Sequence, residues 1–392
     1  MTGGYDADAS WSSVWPSTLY ALWKAYGDDH IVRLYWFDLI NYMDTQASAM
    51  RGGNIANITA GLGDWCPPPA DPTTDDMGPL PYSEFSAGAT FLVDLAHVIE
   101  MSEAIGSEDT LQLQTNWNTW TAQFNAAWAH VDGAGVWYGS NPTAGAQCAQ
   151  AQAIGAGVVP AANLSAVAAY LVADIAKHGG HTSVGILGQK YIGRALTATG
   201  NADTAISMML QTTYPSFGWQ FNHPDEPSTT LWELWNGPNR GPGMNSRAHV
   251  MMGSVGAWLY TDVAGIAQAP GTAGYSNLLL WPRATTHGNL TQASGSYNSI
   301  RGIVAVDWSA AVANSFSLRA TVPANAVAQV RLPFPAGTAP ATLAVSEGAD
   351  SIFAMGKYVP GAQGVTGATF DATSSTLSVF VGSGDFNFLL QW

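Results

Sequence analysis

The spacing of apolar residues changes once along the chain, near residue 270, and that change sets the architecture. Upstream, apolar side chains recur every three to four residues: Leu19, Leu22, Trp23 and Tyr26, then Phe91, Leu95, Val98 and Ile99, then Leu164, Val167, Leu171 and Ile175. This is the period of helices with one buried face. Pro16 suits a first helical turn, Gly27 suits a C-terminal cap, and Asn201 starts a helix after Gly200. Downstream, the period is two: Phe316, Leu318 and Ala320, then Val330 and Leu332, then Leu377, Val379 and Val381, then Phe386 and Phe388. Short alternating runs separated by Gly, Pro, Asn and Ser read as antiparallel strands. The expected fold is mainly α, with a helical domain over 1–268 followed by an antiparallel β-sandwich over 269–392. Many helices of similar length, joined by alternating short and long loops, suit a ring of helical hairpins.

Charge narrows the partners. Thirteen Lys and Arg stand against 28 Asp and Glu, a net charge of −15. No basic stripe is left to displace counterions from nucleic acid or an anionic membrane. No apolar run approaches the ~18 residues of a membrane span. The start, MTGGYDADASW, has neither a basic nor an apolar signal region, so the location is cytoplasmic by default. Cys66 and Cys148 are the only cysteines and read as buried thiols, not a disulfide framework. Asn57, Asn163 and Asn289 head glycosylation triplets that matter only in a secreted protein.

Sixteen tryptophans are the informative excess. Most aromatics belong to cores, but Trp65 in GLGDW, Trp219 in PSFGWQF, and Trp232 and Trp235 in TTLWELW lie beside Gly, Asp and Glu in loop-like sequence. Indoles next to carboxylates and amides suit a sugar, whose C–H faces stack while its hydroxyls take hydrogen bonds. The Gly- and Pro-rich stretches 66–82 and 221–245 exceed ordinary helix connections, and long ordered loops tend to build sites.

No nucleophile elbow, phosphate loop, dinucleotide fingerprint or HExxH occurs. His178 and His181 bracket a Gly-Gly pair and read as a loop or helix start, so no metal or other cofactor is expected. Carboxylates remain. Glu233, between Trp232 and Trp235, is either a buried structural acid or a catalytic group tuned by its surroundings. Asp64 is a turn residue or a site residue, and Asp8 an N-cap or a site residue. His249, on a helix expected to begin near Asn245, orients a substrate hydroxyl or satisfies the core. Paired carboxylates without metal, Ser or Cys nucleophile point to glycoside hydrolysis.

HTSVGILGQKYIGRAL (181–196), QTTYPSFGWQF (211–221), TTLWELW (229–235) and NSRAHVMMGSVGAWLYTDVAGI (245–266) follow the order and spacing seen in α-L-rhamnosidases of the six-hairpin glycosidase superfamily. GLGDW and DASWSSVWPSTLYALWKAYGD (8–28) extend the likeness upstream, and GYSNLLLWP, RGIVAVDW and VPANAVAQVRLP resemble the C-terminal sandwich of the same enzymes. The resemblance implies an (α/α)6 barrel and removal of terminal rhamnose with inversion, without a metal. It makes Glu233 the general base. Trp11, Trp65 and Trp232 would line the sugar pocket with Asp64 and Asp8, and His249 would hydrogen-bond the sugar. Ala248 stands where the family has Asn before that histidine. The family's general acid belongs to a segment upstream of the Asp-x-Ser-Trp stretch, and this chain begins after it. The expectation is therefore a barrel short of one hairpin, with an open seam that favours self-association, and either a rhamnosidase or a rhamnose-binding protein lacking the acid.

Overall fold

A computed structural model describes residues 8–74, 77–133, 135–239, 246–283 and 290–392. Compactness divides the chain into two units, Met1–Tyr20 with Asp29–Val255, and Ala21–Asp28 with Gly256–Trp392.

The first unit is helical. Its longest helices, Ser83–Ile105 and Thr110–Trp128, form an antiparallel pair. Ser83–Ile105 carries its apolar side chains at the expected spacing, with Phe91, Leu95 and Val98 buried. It ends at Gly106, whose φ of 66° closes the last turn as Ser107 N–H returns to the Ser102 carbonyl at 2.9 Å. Leu164–Lys177 buries Val167, Leu171 and Ile175 as the spacing predicts.

One helix departs from a two-faced pattern. Ala146–Gly155 buries every residue from Ala146 to Ala153, three glutamines included. Each glutamine reaches a distant partner. Gln147 accepts the Ser183 N–H at 2.8 Å, Gln150 accepts the Tyr138 N–H at 2.7 Å and donates to its carbonyl at 2.9 Å, and Gln152 accepts from Ser86 Oγ at 2.9 Å. Small alanines let neighbouring elements approach closely, and the amides satisfy buried polar groups of the segments that do.

The second unit is a sheet domain. Seven strands from Gln292–Ser299 to Gly384–Gln391 form one sheet, and five, from Ile266–Gln268 to Thr376–Val381, form the other. Pairing is antiparallel except between Asn277–Leu280 and Val327–Pro333, which run parallel. The alternation read from sequence places Phe316, Leu318, Val330, Leu332, Leu377, Val379, Phe386 and Phe388 in one core shared by the two sheets. Trp308, fully buried there, donates its indole N–H to the Val263 carbonyl at 2.8 Å. Asp385, the second residue of the last strand, accepts from Thr321 Oγ1 at 2.6 Å. Residues 21–28 belong to this unit because the helix end at Lys24 is bound to 268–274: its carbonyl accepts the Gly274 N–H at 2.9 Å and its ammonium donates to the Thr272 carbonyl at 2.5 Å. No helix among the described residues is long and apolar enough to cross a membrane.

Candidate functional site

Glu233 lies at a bend, outside any helix or strand. Its N–H donates to the Ser246 carbonyl at 2.9 Å, and the Leu231 carbonyl accepts the His249 N–H at 2.8 Å. These two backbone bonds lay 231–233 against 246–249 and bring His249 opposite Glu233. His249 is the residue before the 3-10 helix Val250–Ser254, with extended backbone (φ −94°, ψ 99°), so the expected helix starts later than Asn245 would place it. Asn245 and most of the intervening loop, 240–245, lie outside the described residues, as does the Asn289 triplet.

The Glu233 side chain is 12% exposed, with Oε2 3.7 Å from His249 Nδ1 and Oε1 3.9 Å from Cys66 Sγ. Nε2 of His249 is buried with no hydrogen-bond partner among the described residues. Around this carboxylate sits an apolar cluster of Cys66, Ile186, Phe217, Trp232, Leu234, Trp235 and Met252, with Trp11, Trp65 and Trp219 packed against it half-buried. The tryptophans divide by role. Trp235 is buried and donates to the Val184 carbonyl at 2.8 Å. Trp232 is buried against Gly237, where a Cβ would fall 2.3 Å from the ring, so only glycine fits. Trp11 and Trp65 keep exposed surface at the cluster's edge.

The loop 61–65 joins the pieces. Trp11 donates its indole N–H to the Gly63 carbonyl at 3.3 Å, and Leu62 N–H donates to Asp8 at 3.3 Å, so the N-terminal turn is tied to the segment carrying Trp65. Asp8 caps the helix Ala9–Ser12 through the Ser10 N–H at 3.0 Å and hydroxyl at 2.6 Å, and it is 2% exposed. Asp64 is 1% exposed and holds the start of the helix Ile186–Ala198, accepting the N–H groups of Gly185 at 2.8 Å and Gly188 at 2.7 Å. Both carboxylates accept backbone donors and so tie separate segments together. Burial pushes the Asp64 carboxyl above its ordinary value in spite of those donors.

The two long loops meet here. The Asn236 amide donates to the carbonyls of Pro72 and Thr74, both at 3.1 Å, and the Tyr214 hydroxyl donates to the Pro69 carbonyl at 3.1 Å. Two residues in this region escape a reading by motif. Cys66 is buried beside the carboxylate, and its only sequence signal is its place directly after GLGDW. His223 packs against Trp219 and Trp232, and its Nδ1 accepts the N–H groups of Asp225 and Glu226, each at 3.3 Å, which leaves the ring proton on Nε2. His178 and His181 lie elsewhere: His178 faces Asp174 at 3.2 Å and His181 Nε2 meets the Thr213 hydroxyl at 2.8 Å.

The chain carries a carboxylate set among indoles on a helical unit, and a two-sheet domain follows it in sequence. The chain belongs to the bacterial α-L-rhamnosidase family: the six-hairpin glycosidase domain of that family matches residues 1–263, and its C-terminal domain matches residues 265–341. An α-L-rhamnosidase of Streptomyces avermitilis is 31% identical over 336 residues, 83% of this chain and 29% of that protein. Another, from Formosa agariphila, is 28% identical over 306 residues, 75% of this chain and 30% of that protein. The α-L-rhamnosidase structure from Dictyoglumus thermophilum superposes with a TM-score of 0.83 at 25% identity, covering 99% of this chain and 40% of that one. The Streptomyces avermitilis enzyme complexed with L-rhamnose superposes with a TM-score of 0.77 at 26% identity, covering 99% of this chain and 34% of that one. The chain thus spans about a third of the length of these relatives.

Proposed function

We propose that this chain forms the sugar-binding and base-bearing part of an inverting α-L-rhamnosidase, with its helices belonging to an (α/α)6 barrel. The observation that carries the reading is the Glu233 carboxylate, bracketed by His249 and Cys66 at the edge of a tryptophan-lined cluster. A mostly buried carboxylate with a small exposed face can take a proton from one water molecule while the surrounding indoles keep bulk water away. Trp11 and Trp65 offer aromatic faces to the sugar, and His249 Nε2 offers a polar atom with no hydrogen-bond partner among the described residues. In an inverting reaction the base removes a proton from water as its oxygen attacks the anomeric carbon, while a separate acid protonates the leaving oxygen. Glu233→Gln removes the base and keeps the shape, so hydrolysis of an aryl rhamnoside should fall about 10² to 10⁴-fold while rhamnose still binds. Parent-level hydrolysis by this variant would reject the assignment.

A second reading is rhamnose binding without efficient cleavage. It is favoured by Asp8 and Asp64, whose carboxylates are already engaged by backbone donors. An aryl rhamnoside with an activated leaving group needs little protonation, whereas an alkyl rhamnoside needs an acid. Turnover of the first with none of the second, alongside calorimetric binding of rhamnose that Trp65→Ala abolishes, supports this reading. Efficient cleavage of the alkyl glycoside rejects it.

A further inference from the structure

We propose that Cys66 is a positioning residue that fixes the Glu233 carboxylate for proton abstraction, holding Oε1 by its thiol while His249 faces Oε2. The inference rests on the reading of Glu233 as the general base.

Three independent observations converge on the thiol. The first is contact: Cys66 Sγ lies 3.9 Å from Glu233 Oε1, at the long end of the range in which a thiol donates to a carboxylate. Thiols are weak donors, so this contact acts on the orientation of the oxygen. The second is backbone geometry. Cys66 has φ 62°, in the left-handed region where an L side chain is strained, and it precedes Pro67, a neighbour that restricts its backbone further. Such a conformation persists only where the surroundings over-determine it, and strained positions of this kind gather at functional sites.

The third observation is the clamp on either side. Trp65 C=O accepts the Ile186 N–H at 2.8 Å, and Pro67 C=O accepts the Gly78 N–H at 3.0 Å. One peptide before Cys66 and one after are therefore tied to separate segments, and the side chain between them is directed into the cluster. There it is 2% exposed and packed with Trp232, Phe217 and Met252. A buried thiol serving only as filler would not need a strained backbone, since a β-branched or aliphatic residue in ordinary geometry fills space as well.

His249 completes the arrangement. With one carboxylate oxygen against the imidazole and the other against the thiol, rotation of the Glu233 carboxyl about its terminal bond is restricted from both sides, although that torsion is broad in an unrestrained glutamate. A base held in one orientation presents the same lone pair to water at each encounter, and small misplacements of a catalytic group are expensive in rate.

The test is a kinetic series on the whole chain with an aryl rhamnoside, together with thermal melting of each variant. Cys66→Ala should lower kcat about tenfold with KM within about twofold of the parent. Cys66→Ser restores a donor and should recover most of that loss. In the Glu233→Gln background, Cys66→Ala should have no further effect on the residual rate, because it acts only through the carboxylate. An unchanged kcat in Cys66→Ala, or a loss that persists in full without Glu233, overturns the proposal, as does a serine variant as slow as the alanine one. Failure of the base assignment is seen separately, as a parent-like rate in Glu233→Gln alone. In that event the melting temperatures of the parent, Cys66→Ala, Glu233→Gln and the double variant still decide whether Cys66 and Glu233 are coupled, and additive shifts would remove the contact itself.

Discussion

The Asp64 carboxylate receives the backbone N–H of Gly188 at 2.7 Å, joining residues 124 apart in sequence. Its other oxygen takes the Gly185 N–H, and the adjacent Trp65 carbonyl takes the Ile186 N–H, so three donors at the start of one helix are satisfied by two residues of a loop. Helix N-termini leave their first N–H groups without intrahelical acceptors, and here a remote side chain supplies them. Gly185 permits the approach, since a Cβ there would fall 2.2 Å from the Trp65 carbonyl oxygen.

Asp64→Ala should therefore act on stability first. Two buried N–H groups lose their acceptor, which costs about 2 to 4 kcal/mol. Urea unfolding of the variant should show a lower midpoint, and Asp64→Asn, which keeps one acceptor oxygen, should fall between. Rhamnose affinity in whatever fraction remains folded should stay close to that of the parent; a tenfold or greater loss of affinity at full stability would return Asp64 to the list of sugar contacts.

Asp94 supplies a pH-dependent test. It is 1% exposed within the helix Ser83–Ile105, Ser17 Oγ donates to Oδ1 at 3.5 Å, and Oδ2 has no hydrogen-bond partner among the described residues. Burial holds its carboxyl well above the ordinary 3.8, against the opposing pull of Lys190. Above that ordinary value the unfolded chain releases the proton while the folded protein keeps it, so stability falls as pH rises until the folded group also ionises. Asp94→Asn removes the titrating group. The variant should be more stable than the parent at pH 7 by about 1 to 2 kcal/mol, and the difference should shrink as the pH is lowered toward 4. A difference that stays constant between pH 4 and 7 would contradict the assignment.

His249→Phe keeps a ring of similar size and removes both nitrogens. With Nε2 unpartnered among the described residues, loss of a hydrogen bond to a sugar hydroxyl should raise KM for an aryl rhamnoside about fivefold to twentyfold, a typical cost for one buried polar contact. Calorimetry with rhamnose alone should show the same ratio. Equal affinities in the two proteins would confine His249 to packing.

The shift in hydrophobic period near residue 270 made the helical and sheet units readable, because burial on one face imposes a period whatever the tertiary arrangement. Trp11, Trp65, Trp232, Glu233 and His249 were readable as a group through their motifs, and the structure brings them around one cluster. What local sequence could not supply was which polar atoms would already be occupied. Asp8 and Asp64 look open in a string of letters, yet their oxygens are taken by N–H groups of Ser10, Leu62, Gly185 and Gly188. His249 lies outside the helix expected for it because the backbone bond to Leu231 holds it extended, a pairing with no periodic signal. Cys66 was readable as a buried thiol but not as a neighbour of Glu233, because a left-handed φ at a residue other than glycine leaves no trace in the sequence.

The glutamine-bearing helix Ala146–Gly155 has a consequence for how the molecule breathes. Its side chains are buried on all sides and its amides are bound to Tyr138, Ser183 and Ser86, which come from three different parts of the chain. From Ala146 to Ala153 it has no exposed face, and it cannot detach without opening those contacts together. Backbone deuterium uptake in Ala149–Ala153 should therefore proceed only through the largest cooperative opening of the helical unit, making these few amides a local clock for its complete unfolding.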